Sequence, residues 1–161
     1  MPGEPAYISL RQLLRTPPRW EVNGLTVFVC ENPNLLAIAA DTLGPHCAPL
    51  VCTEGMPAAA QRTLLTQLTK AGACLRYHGD FDWPGIVIAN HVIRAYGAHP
   101  WNLGARDYEV AVKNAPHAER NLTDTVVIAS WDPALTTSMQ TRGFAIAEEA
   151  LAASLLADLR R

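Results

Sequence analysis

Two aspartates separated by a single residue are the strongest candidates for chemistry in this sequence. Asp80 and Asp82 follow the apolar run Ala73-Cys74-Leu75, which predicts a β-strand. On an extended strand end, this spacing points both carboxylates to the same face. Two neighbouring carboxylates repel each other unless a cation joins them, and Mg²⁺ prefers hard oxygen ligands of this kind. The pair therefore indicates a divalent-cation site.

A third acid, Glu31, directly follows another strand-like segment, the β-branched and apolar run from Leu25 to Cys30. Strands that alternate with helices form parallel sheets, in which every strand ends at the same edge. Glu31 is therefore expected to meet Asp80 and Asp82 at one edge, although the three are far apart along the chain. That edge is where open α/β sheets bind ligands.

The elements that must position these acids follow a repeated strand–turn–helix pattern. Helical stripes and stop signals such as Gly44-Pro45 and Gly72 separate the strands. The pattern predicts an α/β, Rossmannoid fold with about four mostly parallel strands between helices. Asn34 is the predicted N-cap of the first helix after Glu31. The predicted strands are 25–30, 49–53 and the one that begins at 73, and the predicted helices are 35–42, 58–71 and 86–96.

The pattern is weaker after Gly97, where shorter elements are expected. Residues 99–103 suggest a short strand, and residues 125–129 suggest either a strand or an apolar edge segment. Asp132 is the predicted cap of a helix that begins at Pro133 and runs through residue 140. The remaining predicted helices cover 105–114 and 150–159, the latter opened by Glu148 and Glu149.

Composition places the chain among globular proteins of one domain. It has 161 residues, 17% charged residues and a net charge of −2, which does not indicate a strong nucleic-acid binder acting alone. Cys30, Cys52 and Cys74 fall in apolar runs, so they are expected to be buried free thiols. That expectation favours a reducing, cytoplasmic location. No apolar run is long enough to span a bilayer, so no membrane association is expected.

The positions of the acidic residues can be explained by helix capping as well as by catalysis. Glu31, Asp80 and Asp82 are read as metal ligands and catalytic residues, with Glu31 also a candidate general acid or base. Acids at helix N-termini are equally common as caps, so capping alone also explains the three. Four further residues are possible accessories: His78 beside a phosphate, Gly55 in a phosphate-approaching turn, and Glu148 and Glu149 as additional acids near the ion.

Three strings in the sequence resemble the TOPRIM domain family. They are Cys30-Glu31-Asn32-Pro33, Thr53-Glu54-Gly55-Met56-Pro57, and Tyr77-His78-Gly79-Asp80-Phe81-Asp82-Trp83-Pro84-Gly85. The likeness is to the C-terminal TOPRIM domain of the Wadjet (JetD-type) plasmid-defence nuclease subunit, from about residue 25 onward. Within the third string, Asp80-Phe81-Asp82-Trp83-Pro84-Gly85 is also similar to the acid turn of the topoisomerase VI and meiotic-recombination A subunits.

The resemblance implies a function in DNA cleavage. It matches Glu31 to the TOPRIM glutamate and Asp80 and Asp82 to its DxD, and it implies Mg²⁺ at the trio, with Mn²⁺ as a substitute. No room exists for a separate tyrosine-bearing domain, so hydrolysis by water is expected. Expected partners are plasmid or circular DNA, subunits of an SMC-like motor complex, and an upstream DNA-binding region. Residues 1–22 are read as a lead-in from that region and 23–161 as the catalytic domain. The alternative function is a non-catalytic TOPRIM-like module that binds a partner.

Overall fold

The structure is an α/β sandwich, seen in a computed structural model that describes residues 3–115, 121–122 and 125–161. Strands and helices alternate up to the fourth strand, after which the elements of the described residues are helices. The strands are β1 (Thr26–Cys30), β2 (Leu50–Cys52), β3 (Cys74–Tyr77) and β4 (His99–Pro100). The helices are α1 (Leu10–Arg15), α2 (Pro33–Leu43), α3 (Ala59–Lys70), α4 (Trp83–Tyr96), α5 (Ala105–Asn114), α6 (Pro133–Arg142) and α7 (Ala152–Leu159), with 3₁₀ turns at Gly44–His46 and Glu148–Leu151.

The four strands form one all-parallel sheet in the order β2-β1-β3-β4, as the alternating pattern predicted. In the register, Val29 pairs with Val51 on one side and with Tyr77 on the other. β1 is therefore central, and Glu31 emerges between the ends of β2 and β3. This placement follows from the parallel arrangement, because all strands finish at the same edge.

Helices cover both faces of the sheet, which explains why its central strand is apolar at successive positions. Val27 and Val29 face a core built with α3 and α4, whereas Phe28 and Cys30 face a second core built with α2 and α7. Alternate residues of a strand point to opposite faces, so a strand buried on both sides needs apolar residues throughout. Trp101 is buried in the second core.

The chain after α6 returns to the carboxyl end of β3 through an isolated antiparallel bridge. Phe81 and Ile146 exchange two backbone hydrogen bonds, of 2.9 and 3.2 Å. Both side chains are buried in the core beneath α4. Because Ile146 lies two residues before Glu148, the bridge brings that glutamate to the sheet edge where Asp80 also lies.

One local prediction about a helix start was wrong. The N-cap of α2 is Asn32 rather than Asn34, and its side chain accepts the Asn34 N–H at 2.9 Å. Proline is favoured at the first helical position, so with Pro33 the helix starts at an earlier residue.

Of the two alternatives for residues 125–129, the strand does not form. Their backbone is held by Asn90 of α4, whose side chain bonds to the Ile128 carbonyl and the Ser130 N–H.

The cysteine prediction holds in part. All four cysteines are free, and Cys30 is buried, Cys52 is half-buried and Cys74 is exposed. Cys74 opens β3, where side-chain alternation turns it away from the face that buries Leu75. Burial of Cys74 was therefore a wrong expectation.

The division at residue 22 stays a prediction, although the start of the chain packs on the fold. Gln67 of α3 donates to the Leu13 carbonyl at 2.8 Å and accepts from the Trp20 indole at 3.0 Å. Leu13 itself is buried. Within the described residues, every helix is too short or too polar to cross a bilayer.

Candidate active site

Three carboxyl groups at the carboxyl edge of the sheet are linked in a closed ring of hydrogen bonds. Glu148 accepts the Glu31 N–H through Oε1 at 3.2 Å, and its own N–H donates to Asp80 Oδ1 at 2.7 Å. The Asp80 N–H then donates to Glu31 Oε2 at 3.1 Å. The ring joins residues from three separate parts of the chain, and it confirms the predicted convergence of Glu31 and Asp80.

The bond between Asp80 and Glu31 replaces the next rung of the β1–β3 ladder. The His78 N–H donates to the Val29 carbonyl at 3.0 Å, as in a regular parallel pair. Two residues further along, the Asp80 N–H meets the carboxylate of Glu31. A side chain therefore closes the sheet at this point, because the strands diverge towards their respective helices.

Glu148 is the most deeply placed acid of the ring. It has no exposed surface, and its Oε2 accepts a second backbone bond, from the Asn32 N–H, at 2.7 Å. Buried carboxylates need such donors, because an unpaired charge away from water is costly. The carboxyl group thus ties the end of β1 to the 3₁₀ turn that follows the Phe81–Ile146 bridge.

The acids of the ring perturb one another's pKa values. Burial raises the pKa of Glu31 to about 7, and the nearby Asp80 carboxylate adds to the rise. Burial also raises the pKa of Glu148 to about 9, although its two backbone donors act in the opposite sense. The pKa of Asp80 is raised by burial as well, with a contribution from Asp82. Clusters of this kind are typical of functional sites.

Asp82 has the capping role that was the alternative reading of the trio. Its Oδ1 accepts the Gly85 N–H at 2.6 Å at the start of α4. Its other oxygen has no hydrogen bond to any residue that the structure describes, and its charge still raises the pKa of Glu31. Asp82 therefore borders the ring without being part of it.

A cleft of about 260 Å³ opens in front of the ring. Glu54 and Gly55 form its far wall, and both have positive φ angles, of 54° and 84°. A left-handed conformation is rare for glutamate, and such outliers concentrate at functional sites. The Gly55 N–H donates to the Glu31 carbonyl at 3.2 Å, which fixes the turn against β1. The cleft is lined by Glu31, Asn32, Pro33, Glu54, Gly55 and Asp80.

The two remaining accessory candidates lie beside the ring. His78 has no exposed surface; its Nδ1 lies 2.8 Å from the Trp101 carbonyl, and burial lowers its pKa to about 4. It is a neutral core residue and does not line the cleft. Glu149 accepts amide hydrogens from Asn32 and Asn34 at 2.7 and 2.9 Å, which holds the start of α2.

The donor chemistry of the edge suits a hard divalent cation held by few protein ligands. As they stand, the described residues contain no group of three or more histidine, cysteine or acidic side chains with the spacing of a metal site. Mg²⁺, however, is usually bound through one or two carboxylates, with water and substrate phosphates completing its octahedron. Glu31 and Asp80 meet that requirement, because both line the cleft and both have raised pKa values.

Sequence reasoning missed the full involvement of Glu148 and of Tyr77. Glu148 was expected only as a possible accessory acid near the ion, and the sequence did not show that it accepts the N–H groups of Glu31 and Asn32. Tyr77 has no exposed surface, and its hydroxyl, which has no hydrogen-bond partner among the described residues, lies close enough to lower the pKa of Glu31. Strand alternation could have indicated that Tyr77 lies near the acids, because residues 77 and 79 share one face of the strand and Gly79 precedes Asp80.

Comparison with known proteins identifies one family. No curated protein and no solved structure matches the chain. Residues 6–159 match the family described as "Protein of unknown function C-terminus (DUF2399)", so nearly the whole chain is covered. The protein, with its parallel sheet and its ring of carboxyl groups, belongs to the DUF2399 C-terminal family.

Proposed function

We propose that this protein is a Mg²⁺-dependent DNA endonuclease domain that hydrolyses phosphodiester bonds within a plasmid-defence complex. The observation that carries the proposal is the meeting of Glu31 and Asp80 in front of the cleft, where burial raises the pKa of both carboxyl groups and Asp80 raises the pKa of Glu31 further. Like charges are placed together at a cost, and a bound cation would offset that cost.

The acids have distinct roles in this proposal. Glu31 and Asp80 would hold the cation, with Asp82 able to add its second oxygen after a small rotation. Mg²⁺ held there supplies a Lewis acid that stabilises negative charge on a phosphate. Glu31 is also the proposed general acid or base; its pKa of about 7 belongs to the metal-free protein, and as a ligand of the cation it would be ionised and act as a base.

The TOPRIM resemblance supports DNA as the substrate. By that resemblance, the glutamate after β1 and the DxD after β3 match the acids of the family, and the strings at residues 30–33, 53–57 and 77–85 resemble the Wadjet (JetD-type) subunit. The net charge of −2 suits a domain that other components bring to DNA. An upstream DNA-binding region and SMC-like motor subunits are the proposed partners.

Cleavage of circular plasmid by the full-length protein with its partners tests the proposal. Glu31→Gln and Asp80→Asn should each reduce Mg²⁺-dependent cleavage by at least about 100-fold. The reason is that each removes a negatively charged carboxylate that would hold the cation. Asp41→Asn, at an exposed position of α2, is the matched control and should cut normally. Full cleavage by Glu31→Gln would exclude the assigned role.

A second candidate is a non-catalytic, TOPRIM-like module that binds a partner protein. It is favoured by the capping bond of Asp82 and by the internal hydrogen bonds that the ring acids already make. Thermal unfolding with and without Mg²⁺ or Mn²⁺ separates the two candidates, since a ligand that binds only the folded state raises its melting temperature. No shift at millimolar metal would favour the module.

A further inference from the structure

We propose that Tyr77 is a positioning residue of this site, whose hydroxyl donates to the Glu31 carboxylate and holds it towards the cleft. The inference rests on the proposed function, because it assigns Tyr77 a role in metal binding. Nothing in the capping interpretation of the acids requires a tyrosine at this position. Phenylalanine would fill the same apolar space in the core.

The first support is the placement of the Tyr77 hydroxyl. The side chain has no exposed surface, and its ring is buried among the residues that pack beneath α4. Its hydroxyl nevertheless has no hydrogen-bond partner among the described residues. Buried hydroxyls are normally paired, and one that is not calls for an explanation in terms of function or an unseen ligand.

The second support is the space that Gly79 leaves at the edge of the sheet. A Cβ atom at this position would lie 2.6 Å from Glu31 Oε2 and 2.9 Å from the Tyr77 hydroxyl oxygen. The two oxygens therefore border the same small gap, which any larger residue would fill. Gly79 has no positive φ angle, so the backbone does not demand glycine, and the gap itself is what glycine provides.

Together these observations describe a site arranged around the Glu31 carboxylate. Glu31 Oε2 accepts the Asp80 N–H, and the Tyr77 hydroxyl oxygen borders the same gap at Gly79 as Glu31 Oε2 does. Groups that hydrogen-bond to metal-ligating carboxylates orient them, and their removal typically weakens metal binding by about 10- to 100-fold. Tyr77 stands in that relation to Glu31.

The test is Mn²⁺ binding, measured by titration calorimetry on the full chain, for Tyr77→Phe and for the matched control Tyr108→Phe. Tyr108 is also fully buried, but its hydroxyl donates to the Phe144 carbonyl at 2.8 Å, away from the cleft. We expect Tyr77→Phe to weaken Mn²⁺ binding about tenfold. Tyr108→Phe should leave the affinity unchanged.

The metal-free melting temperatures show what each hydroxyl contributes to the fold. Tyr77→Phe removes the proposed bond to Glu31 and Tyr108→Phe removes the bond to the Phe144 carbonyl, so both should lower the melting temperature. A Tyr77→Phe protein that is destabilised no more than Tyr108→Phe, yet alone binds Mn²⁺ more weakly, has lost a positioning group. A second variant, Gly79→Ala, fills the gap and should also weaken Mn²⁺ binding.

The outcomes separate this inference from the proposed function. If the wild-type protein binds Mn²⁺ and both Tyr77→Phe and Gly79→Ala bind it equally well, the role of Tyr77 is excluded and the metal site stands. If the wild-type protein binds no Mn²⁺, the metal site and the role of Tyr77 are both excluded. Should Tyr77→Phe fail to fold, equal Mn²⁺ binding by Gly79→Ala alone overturns the inference.

Discussion

The Glu148 N–H donates to Asp80 Oδ1 at 2.7 Å, across 68 residues of sequence. This bond depends on the antiparallel bridge between Phe81 and Ile146, which sets the distance between the two segments. It orients the first aspartate of the DxD without using any residue of the sheet itself. The geometry of the acid site is therefore determined jointly by the strand ends and by a segment that follows α6.

The first prediction concerns the pH dependence of stability in the absence of metal. The folded-state pKa of Glu31 is about 7, above its ordinary value of 4.5, so the folded protein binds this proton more tightly than the unfolded chain does. Its contribution to stability is present below about pH 4.5 and is lost as pH rises through about 7. Glu31→Gln should therefore gain stability relative to the wild type with rising pH. Urea unfolding in a chelator checks this, and parallel pH profiles for the two proteins would contradict it.

The second prediction concerns the acceptor role of Glu148. Glu148→Ala leaves the partly buried N–H groups of Glu31 and Asn32 without their acceptor. The free energy of unfolding should fall by about 2–4 kcal/mol, since each buried donor left unpaired costs about 1–3 kcal/mol. Denaturant unfolding measures the change. Glu149→Ala, next in sequence and only partly buried, removes bonds to two side-chain amides; it is the control and should cost less than about 1 kcal/mol.

The third prediction concerns the close approach of α4 to the DxD turn. A Cβ atom at Gly85 would collide with the Asp80 carbonyl oxygen and lie 2.9 Å from Asp82 Oδ1. Gly85→Ala should destabilise the protein by about 1–3 kcal/mol through overpacking and should also reduce the melting-temperature rise caused by Mn²⁺. In Gly97→Ala, where no atom lies within 4 Å, only backbone strain at φ 64° is added. Gly97→Ala is the control and should keep the full rise in melting temperature caused by Mn²⁺. Loss of that rise in both variants would contradict an effect confined to the DxD turn.

The fourth prediction concerns the attachment of α7 to the sheet. Asp158 Oδ2 accepts both the Trp101 indole N–H and the Asn102 amide at 2.8 Å. Asp158→Ala leaves the indole of a fully buried tryptophan unpaired and should cost about 1–3 kcal/mol, while Mn²⁺ affinity stays unchanged. Urea unfolding followed by tryptophan fluorescence measures the loss. An unaltered midpoint would mean that packing alone holds α7.

Much of the sheet and part of the site were predictable because they follow from local patterns. Two apolar strand runs with an acid at each end are sufficient to bring Glu31 and Asp80 together, since parallel strands end at one edge. Glu148 was harder, because its position depends on the pairing of Phe81 with Ile146, a contact between distant segments that no local pattern encodes. The same reason explains why the sequence left residues 125–129 open between a strand and an edge segment, since their backbone is held by Asn90 instead of by a neighbouring strand.

Closure of the sheet by the Glu31 side chain has a mechanical consequence. A main-chain rung can open only if two strands separate, which disturbs every neighbouring bond of the ladder. The contact between the Asp80 N–H and Glu31 Oε2 needs only a rotation about side-chain bonds to open. The Glu31 carboxylate can therefore exchange the Asp80 N–H for an external ligand while β1 and β3 keep their positions.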